Sequence, residues 1–224
     1  MLDVVRCLAG EAHADVNQAR TYYGVTPLVI AAQKDNLDMV RYLAGEAHAD
    51  VNQATTDDGV TPLFIAAWKG NLDVVRYLAG EAHANVNQGR TDTGGTPLYI
   101  AAQMDNLDVV RYLAGEAHAD VNQARTDCGD TPLYIAAQEG NLDVVRYLAG
   151  AAHADVNQAR TDTGSTPLYV AAESGNLDVV RYLAGEAHAD VNQARTDTGA
   201  TLFISLLRKI TLMWFVTLLA KLML

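Results

Sequence analysis

The sequence predicts an all-α solenoid, a stack of helix-turn-helix units joined by short β-turn fingers. Two observations carry that reading. Thr-Pro-Leu recurs at Thr26, Thr61, Thr96, Thr131 and Thr166, a spacing of 35 residues, and self-similarity at a fixed period in this range marks a stacked-repeat architecture. Each recurrence also brings the same succession: Thr166-Pro167-Leu168-Tyr169-Val170-Ala171-Ala172, then Gly175-Asn176-Leu177-Asp178-Val179-Val180-Arg181-Tyr182-Leu183-Ala184, then His188-Ala189-Asp190-Val191-Asn192. One such unit cannot bury its apolar face alone, whereas stacked units share a continuous core.

Within a unit, Thr26 before Pro27 reads as a helix start. The threonine hydroxyl can accept from a free N–H of the first turn, and proline at the first helical position loses no bond. Leu28, Ala31 and Ala32 then share one face, with the alanine pair small enough to let neighbouring helices approach. Asn36 is placed to cap a second helix, with Asp38 in its first turn where negative charge suits the dipole. Leu37, Val40, Leu43, Ala44 and Ala47 form the buried stripe of that helix, and Asp38 can pair with Arg41 at i, i+3 outside it. Asp50-Val51-Asn52 reads as a short extended piece, and the polar run ending in Gly59 as a turn.

Thr-Pro-Leu-x-x-Ala-Ala, the Val-Val-x-x-Leu helix and Ala-Asp-Val-Asn together resemble the ankyrin repeat, over roughly residues 1–205. The resemblance implies a non-enzymatic scaffold that binds another protein on its concave face. Two features depart from the family pattern. The period is 35 rather than about 33, with extra residues in Leu-Ala-Gly-Glu-Ala-His and in the turn run. The histidine usual after Thr-Pro-Leu is replaced by Val29, Phe64, Tyr99, Tyr134 and Tyr169, whose hydroxyls, where present, are expected to restore part of the bonding between repeats.

The units place a partial N-terminal repeat at 1–23 and full repeats at 24–58, 59–93, 94–128, 129–163 and 164–198, a single array on the order of 60 Å long. Met1 opens in the middle of a repeat, which reads as a fragment of a longer protein or as a fraying edge. Residues 199–224 form a degenerate hydrophobic C-terminal segment, in which only eleven uncharged residues separate Lys209 from Lys221, against roughly 20 for a membrane span. A helix capping the last repeat is the expectation for this end. The alternatives are a membrane-associated fragment anchored by 202–224, or an aberrant gene end.

Sixteen basic and 27 acidic side chains give a net charge of −11, which disfavours a nucleic-acid footprint and favours cationic or mixed protein partners. Two scattered cysteines, Cys7 and Cys128, and no N-terminal signal pattern point to a cytoplasmic or otherwise intracellular setting. A monomer is expected.

No catalytic constellation, cofactor motif or metal site is expected. The six histidines in register, from His13 to His188, would run parallel along a stack rather than converge on one ion, and a structural role at the helix exit is the expectation. Acidic groups recur because the repeat recurs. Arg20, Arg90, Arg125, Arg160 and Arg195 form a second ladder, read as a solvated edge offset by neighbouring aspartates.

Differences between the units point to the binding face. They gather before the Thr-Pro-Leu helix and just after its Ala-Ala pair. The candidate partner-binding residues are Tyr22, Tyr23, Val25, Gln33, Lys34, Asp58, Val60, Trp68, Lys69, Gln103, Met104, Asp130, Gln138, Glu139, Ser165 and Glu173. Trp68, Tyr22 and Tyr23 are of the type that tends to dominate binding energy.

Overall fold

A computed structural model describes residues 2–207, which among themselves form helices and turns without a strand. The five inner helices, Pro27–Gln33, Pro62–Lys69, Pro97–Gln103, Pro132–Glu139 and Pro167–Ser174, begin as the sequence requires. Each is preceded by an extended threonine whose hydroxyl accepts from the third helical N–H, at 3.1–3.3 Å. Successive inner helices pack on one another, through Ala31, Ala66, Ala101, Ala136 and Ala171 and the fully buried leucines Leu28, Leu63, Leu98, Leu133 and Leu168. Three inner helices end in a left-handed glycine, Gly70, Gly140 and Gly175, and in the other two Asp35 and Asp105 hold that positive φ near +55° to +58°.

The outer helices are Leu2–Arg6, Leu37–Arg41, Leu72–Arg76, Leu107–Arg111, Leu142–Arg146 and Leu177–Arg181, and each runs on into a five-residue π turn such as Tyr42–Glu46. There the Ala47 N–H reaches the Tyr42 carbonyl five residues back, at 2.8 Å, and the Ala49 N–H reaches that of Leu43. The extra residue in Leu-Ala-Gly-Glu-Ala-His is thus absorbed by widening one helical turn, the usual outcome of a single insertion into a helix. His48 follows with φ +55°, and His13, His83, His118, His153 and His188 do the same at +53° to +55°. The histidine ladder sits at the left-handed exit of the outer helix.

Three ladders bind unit to unit, two through side chains and one through the backbone. The Tyr77 hydroxyl donates to the Arg41 carbonyl of the preceding unit at 3.4 Å, and Tyr42, Tyr112, Tyr147 and Tyr182 repeat the contact at 3.3–3.5 Å. Asn52 Oδ1 accepts from the Asn85 N–H at 2.8 Å, and the equivalent bond recurs from Asn17 to Asn157. In the fingers, backbone bonds such as Thr91 N–H to Asp58 carbonyl, 3.2 Å, join each turn to the last. Here Gly59 has both a positive φ and no room: a Cβ would stand 2.4 Å from the Thr91 nitrogen.

One local expectation holds without extending to its counterparts, and another is corrected. Asn36 does cap its own helix, accepting from the Met39 N–H at 3.1 Å. Asn71, Asn106, Asn141 and Asn176 instead donate to carbonyls at the end of the previous inner helix, at 2.8–3.0 Å to the alanine. Residues 2–25 contain no inner helix for Asn36 to reach, so its amide turns to the nearer donor. The i, i+3 pair of Asp38 with Arg41 also does not form. Arg41 lies over the Tyr77 ring, 5.7 Å from its centre, and among the described residues only Arg181 makes the i, i+3 pair, with Asp178 at 3.4 Å.

At the C-terminal side a helical stretch spans 202–207. The rest of the expected cap or anchor, 208–224, lies outside the described residues. Among those described, no helix is long and apolar enough to cross a membrane.

Candidate partner-binding face

Arg20 is exposed, as a solvated edge requires, but the other four finger arginines are not. Arg90 folds back over the Phe64 ring, 5.8 Å from its centre, and Arg125, Arg160 and Arg195 cover Tyr99, Tyr134 and Tyr169 at 5.3–5.6 Å. Each covered ring is at least 95 % buried. The guanidinium is held in that pose by an aspartate two residues on, through paired bonds: Arg90 Nε and Nη2 to Asp92 at 2.9 and 2.6 Å, and likewise Arg125 to Asp127, Arg160 to Asp162 and Arg195 to Asp197. The arginine's hydrogen bonds hold the Asp92, Asp162 and Asp197 carboxyls below their ordinary range and push that of Asp127 down to about 2. Each such unit therefore has a lid of arginine over a ring, latched by a carboxylate.

Tyrosine hydroxyls restore part of the bonding, once within a unit's lid and once to the next unit. Arg125 Nη1 donates to the Tyr99 hydroxyl at 3.3 Å, and Tyr134 bonds Ser165 at 3.4 Å.

The first full unit has no lid. Its position after Thr-Pro-Leu is Val29, and the residue where the other units carry arginine is Thr55. Both are buried. The latch residue, Asp57, remains in place and is exposed, its side chain accepting only from the Thr56 hydroxyl at 3.1 Å. A groove of about 230 Å³ opens there. Six of the predicted residues line it: Tyr23, Val25, Gln33, Asp58, Val60 and Trp68. Val29, Thr55, Asp57 and Ile65 complete it and were not among the candidates. The signal for Val29 and Thr55 was present in the sequence, since both depart from their counterparts in the same unit.

Other candidates fall elsewhere. Tyr22 and Tyr23 crown the first finger at 80 % and 67 % exposure. Lys69 Nζ stands 5.1 Å from the centre of the Trp68 ring. Lys34 borders a second depression, of about 330 Å³, with Pro27, Ile30 and Met39. Gln103, Met104, Gln138, Glu139 and Glu173 follow one another at the ends of successive inner helices, with Met104, Glu139 and Glu173 exposed. Asp130 and Ser165 are buried. Ser165 bonds Tyr134, and Asp130 lies 3.2 Å from Arg160 Nε without the angle of a hydrogen bond. Both serve the stack from inside. Among the described residues no group of histidine, cysteine or carboxylate side chains is arranged to hold a metal ion.

The pattern of ankyrin repeats, in three copies, matches residues 1–90, 52–125 and 117–195. The chain belongs to the ankyrin-repeat family. No curated protein matches it. Within this ankyrin-repeat chain the fingers and inner-helix ends are the surface on which units differ, and the lidless groove is one departure from the repeat on that surface.

Proposed function

We propose that the chain is a non-enzymatic protein-interaction scaffold, holding its partner on the concave face built from fingers and inner-helix ends. Membership in the ankyrin-repeat family supports the general role, since these repeats are generally protein-interaction modules. The observation that carries the choice of face is the groove at Trp68. An aromatic, 40 % exposed and flanked by Lys69 and Asp58, stands over an apolar floor on a surface that the other units keep closed. Large aromatics at the centre and charges around them is the usual division of energy in an interface. The stacked surface is preformed by the three ladders, so little ordering cost attends binding.

The test compares Trp68→Ala with Asp73→Ala, an exposed residue of the outer helix Leu72–Arg76. Partners are captured from a lysate on the parent chain, identified, and their affinities measured against both variants. Trp68→Ala should lose about 2 kcal/mol, on the order of thirtyfold in Kd, with unchanged helical content, and Asp73→Ala should bind as the parent does. Loss in Asp73→Ala with full retention in Trp68→Ala assigns binding to the outer helices and refutes the proposed face.

A further inference from the structure

We infer that the groove between the first two complete fingers is an empty arginine seat, which an arginine side chain of the protein partner fills in trans. The inference rests on the concave-face reading and adds the chemistry of the group that enters. Four occupied copies of the seat exist in the same molecule. In each, a guanidinium lies over the residue that follows Thr-Pro-Leu and is gripped by the aspartate two positions beyond the arginine. In the first unit the arginine is Thr55, while the gripping carboxylate survives as Asp57 and makes no ion pair among the described residues. A groove of about 230 Å³ stands there.

Its lining matches the missing group. Val29 and Ile65 contribute apolar lining, and Tyr23 and Trp68 contribute aromatic rings on which a flat guanidinium can stack. Asp57 offers the two-oxygen fork that Asp92 presents to Arg90. Asp58 is already engaged, by Arg90 at 3.2 Å and by the Thr55 hydroxyl at 2.7 Å, so Asp57 is the carboxylate with capacity to spare. A lysine would supply charge but neither the fork nor the plane. The chain's net charge of −11 favours association with a basic segment. Arg20 of the chain itself does not line the groove.

The test uses the whole chain and a blocked pentapeptide, Gly-Gly-Arg-Gly-Gly, beside the same peptide carrying lysine or citrulline. Citrulline keeps the shape of arginine and removes the charge. Binding is read as amide chemical-shift changes at residues 55–58 and at the Trp68 indole. The arginine peptide should shift these groups saturably, the lysine peptide should bind about fivefold more weakly, and citrulline should not bind. Asp57→Asn should weaken the arginine peptide by about tenfold. The double variant Val29→Tyr with Thr55→Arg copies the other units, closes the lid in cis and should abolish the shifts. Should that variant misfold, Asp57→Asn, on an exposed side chain, decides alone. Equal binding of arginine and citrulline, unchanged affinity in Asp57→Asn, or no saturable shift up to the solubility limit of the peptide overturns the seat. If the peptide fails while Trp68→Ala still loses the captured partner, the seat is wrong and the face stands. If Trp68→Ala also keeps the partner, both fall.

Discussion

Gly80 faces the hydroxyl of Tyr112 across the joint between two units, and a Cβ added there would lie 2.8 Å from that oxygen. The same hydroxyl donates to the Arg76 carbonyl at 3.3 Å. Gly80→Ala therefore sets two effects against each other. Alanine in place of glycine inside a helical turn gains about 1 kcal/mol. Displacing the buried ring and its hydroxyl costs about 1 kcal/mol for the hydrogen bond and about 1 kcal/mol or more for overpacking. The net is a loss of about 1 kcal/mol. In a Tyr112→Phe background the oxygen is gone, the bond has already been lost, and the same Gly80→Ala change should stabilise by about 1 kcal/mol. Urea unfolding of the parent, both single variants and the double variant reads this as a coupling of about 2 kcal/mol with opposite signs for the one substitution. A coupling within about 0.5 kcal/mol of zero would show that the glycine is not kept for the hydroxyl, and the tyrosine ladder would lose its place as a rung between units.

Asp105, which holds φ +58° where three other units have glycine, should stabilise the array by about 0.5–1 kcal/mol when changed to glycine, read as a rise in urea midpoint, and a fall would show that its side chain has a compensating contact. The Arg125–Asp127 latch makes a prediction about acid. Hydrogen bonds from Arg125 depress the Asp127 carboxyl to about 2 in the folded chain, so its stabilising contribution is complete above the ordinary carboxylate range near pH 4 and is lost as pH falls through about 2. The stability gap between the parent and Asp127→Asn should accordingly close over that window, and a gap that stays constant from pH 5 to about 2 argues against the latch.

Much of this was legible because repetition is a strong signal. The threonine caps, the proline starts and the Leu-Ala-Ala core each recur five times, and local rules were enough to place them. Side chains that act between units were harder. The asparagine before the outer helix suits an N-cap wherever it stands, and that preference does not disclose that Asn71 reaches the Ala32 carbonyl, 39 residues away in sequence. The tyrosine of Arg-Tyr-Leu sits among core positions, so its role in binding the preceding unit needs the stacking geometry. The arginine ladder was read by charge alone as a solvated edge, because the ring each arginine covers lies 26 residues earlier, as between Arg125 and Tyr99. The finger face itself was legible from where the units differ. Which of those differences face outward was not, since Asp130 and Ser165 differ from their counterparts and yet are buried.

The ladders explain why a single lapse in the repeat can matter. Where every rung is made, the finger surface is closed: rings are covered, carboxylates are neutralised, and little is left with directional capacity. Val29 and Thr55 change together, so the ring and its lid are absent from the same unit, and neither is left as an uncovered buried aromatic or an unlatched arginine. Their joint loss leaves the backbone rungs on both sides intact, with Thr56 N–H to Tyr23 carbonyl at 3.1 Å and Thr91 N–H to Asp58 carbonyl at 3.2 Å. The opening is thus framed by the same bonds that hold the closed units, so it keeps its shape without an occupant. Asp57 makes no ion pair among the described residues, and the Trp68 side chain beside it is exposed. In the proposed seat, both act on an arginine that arrives from outside it.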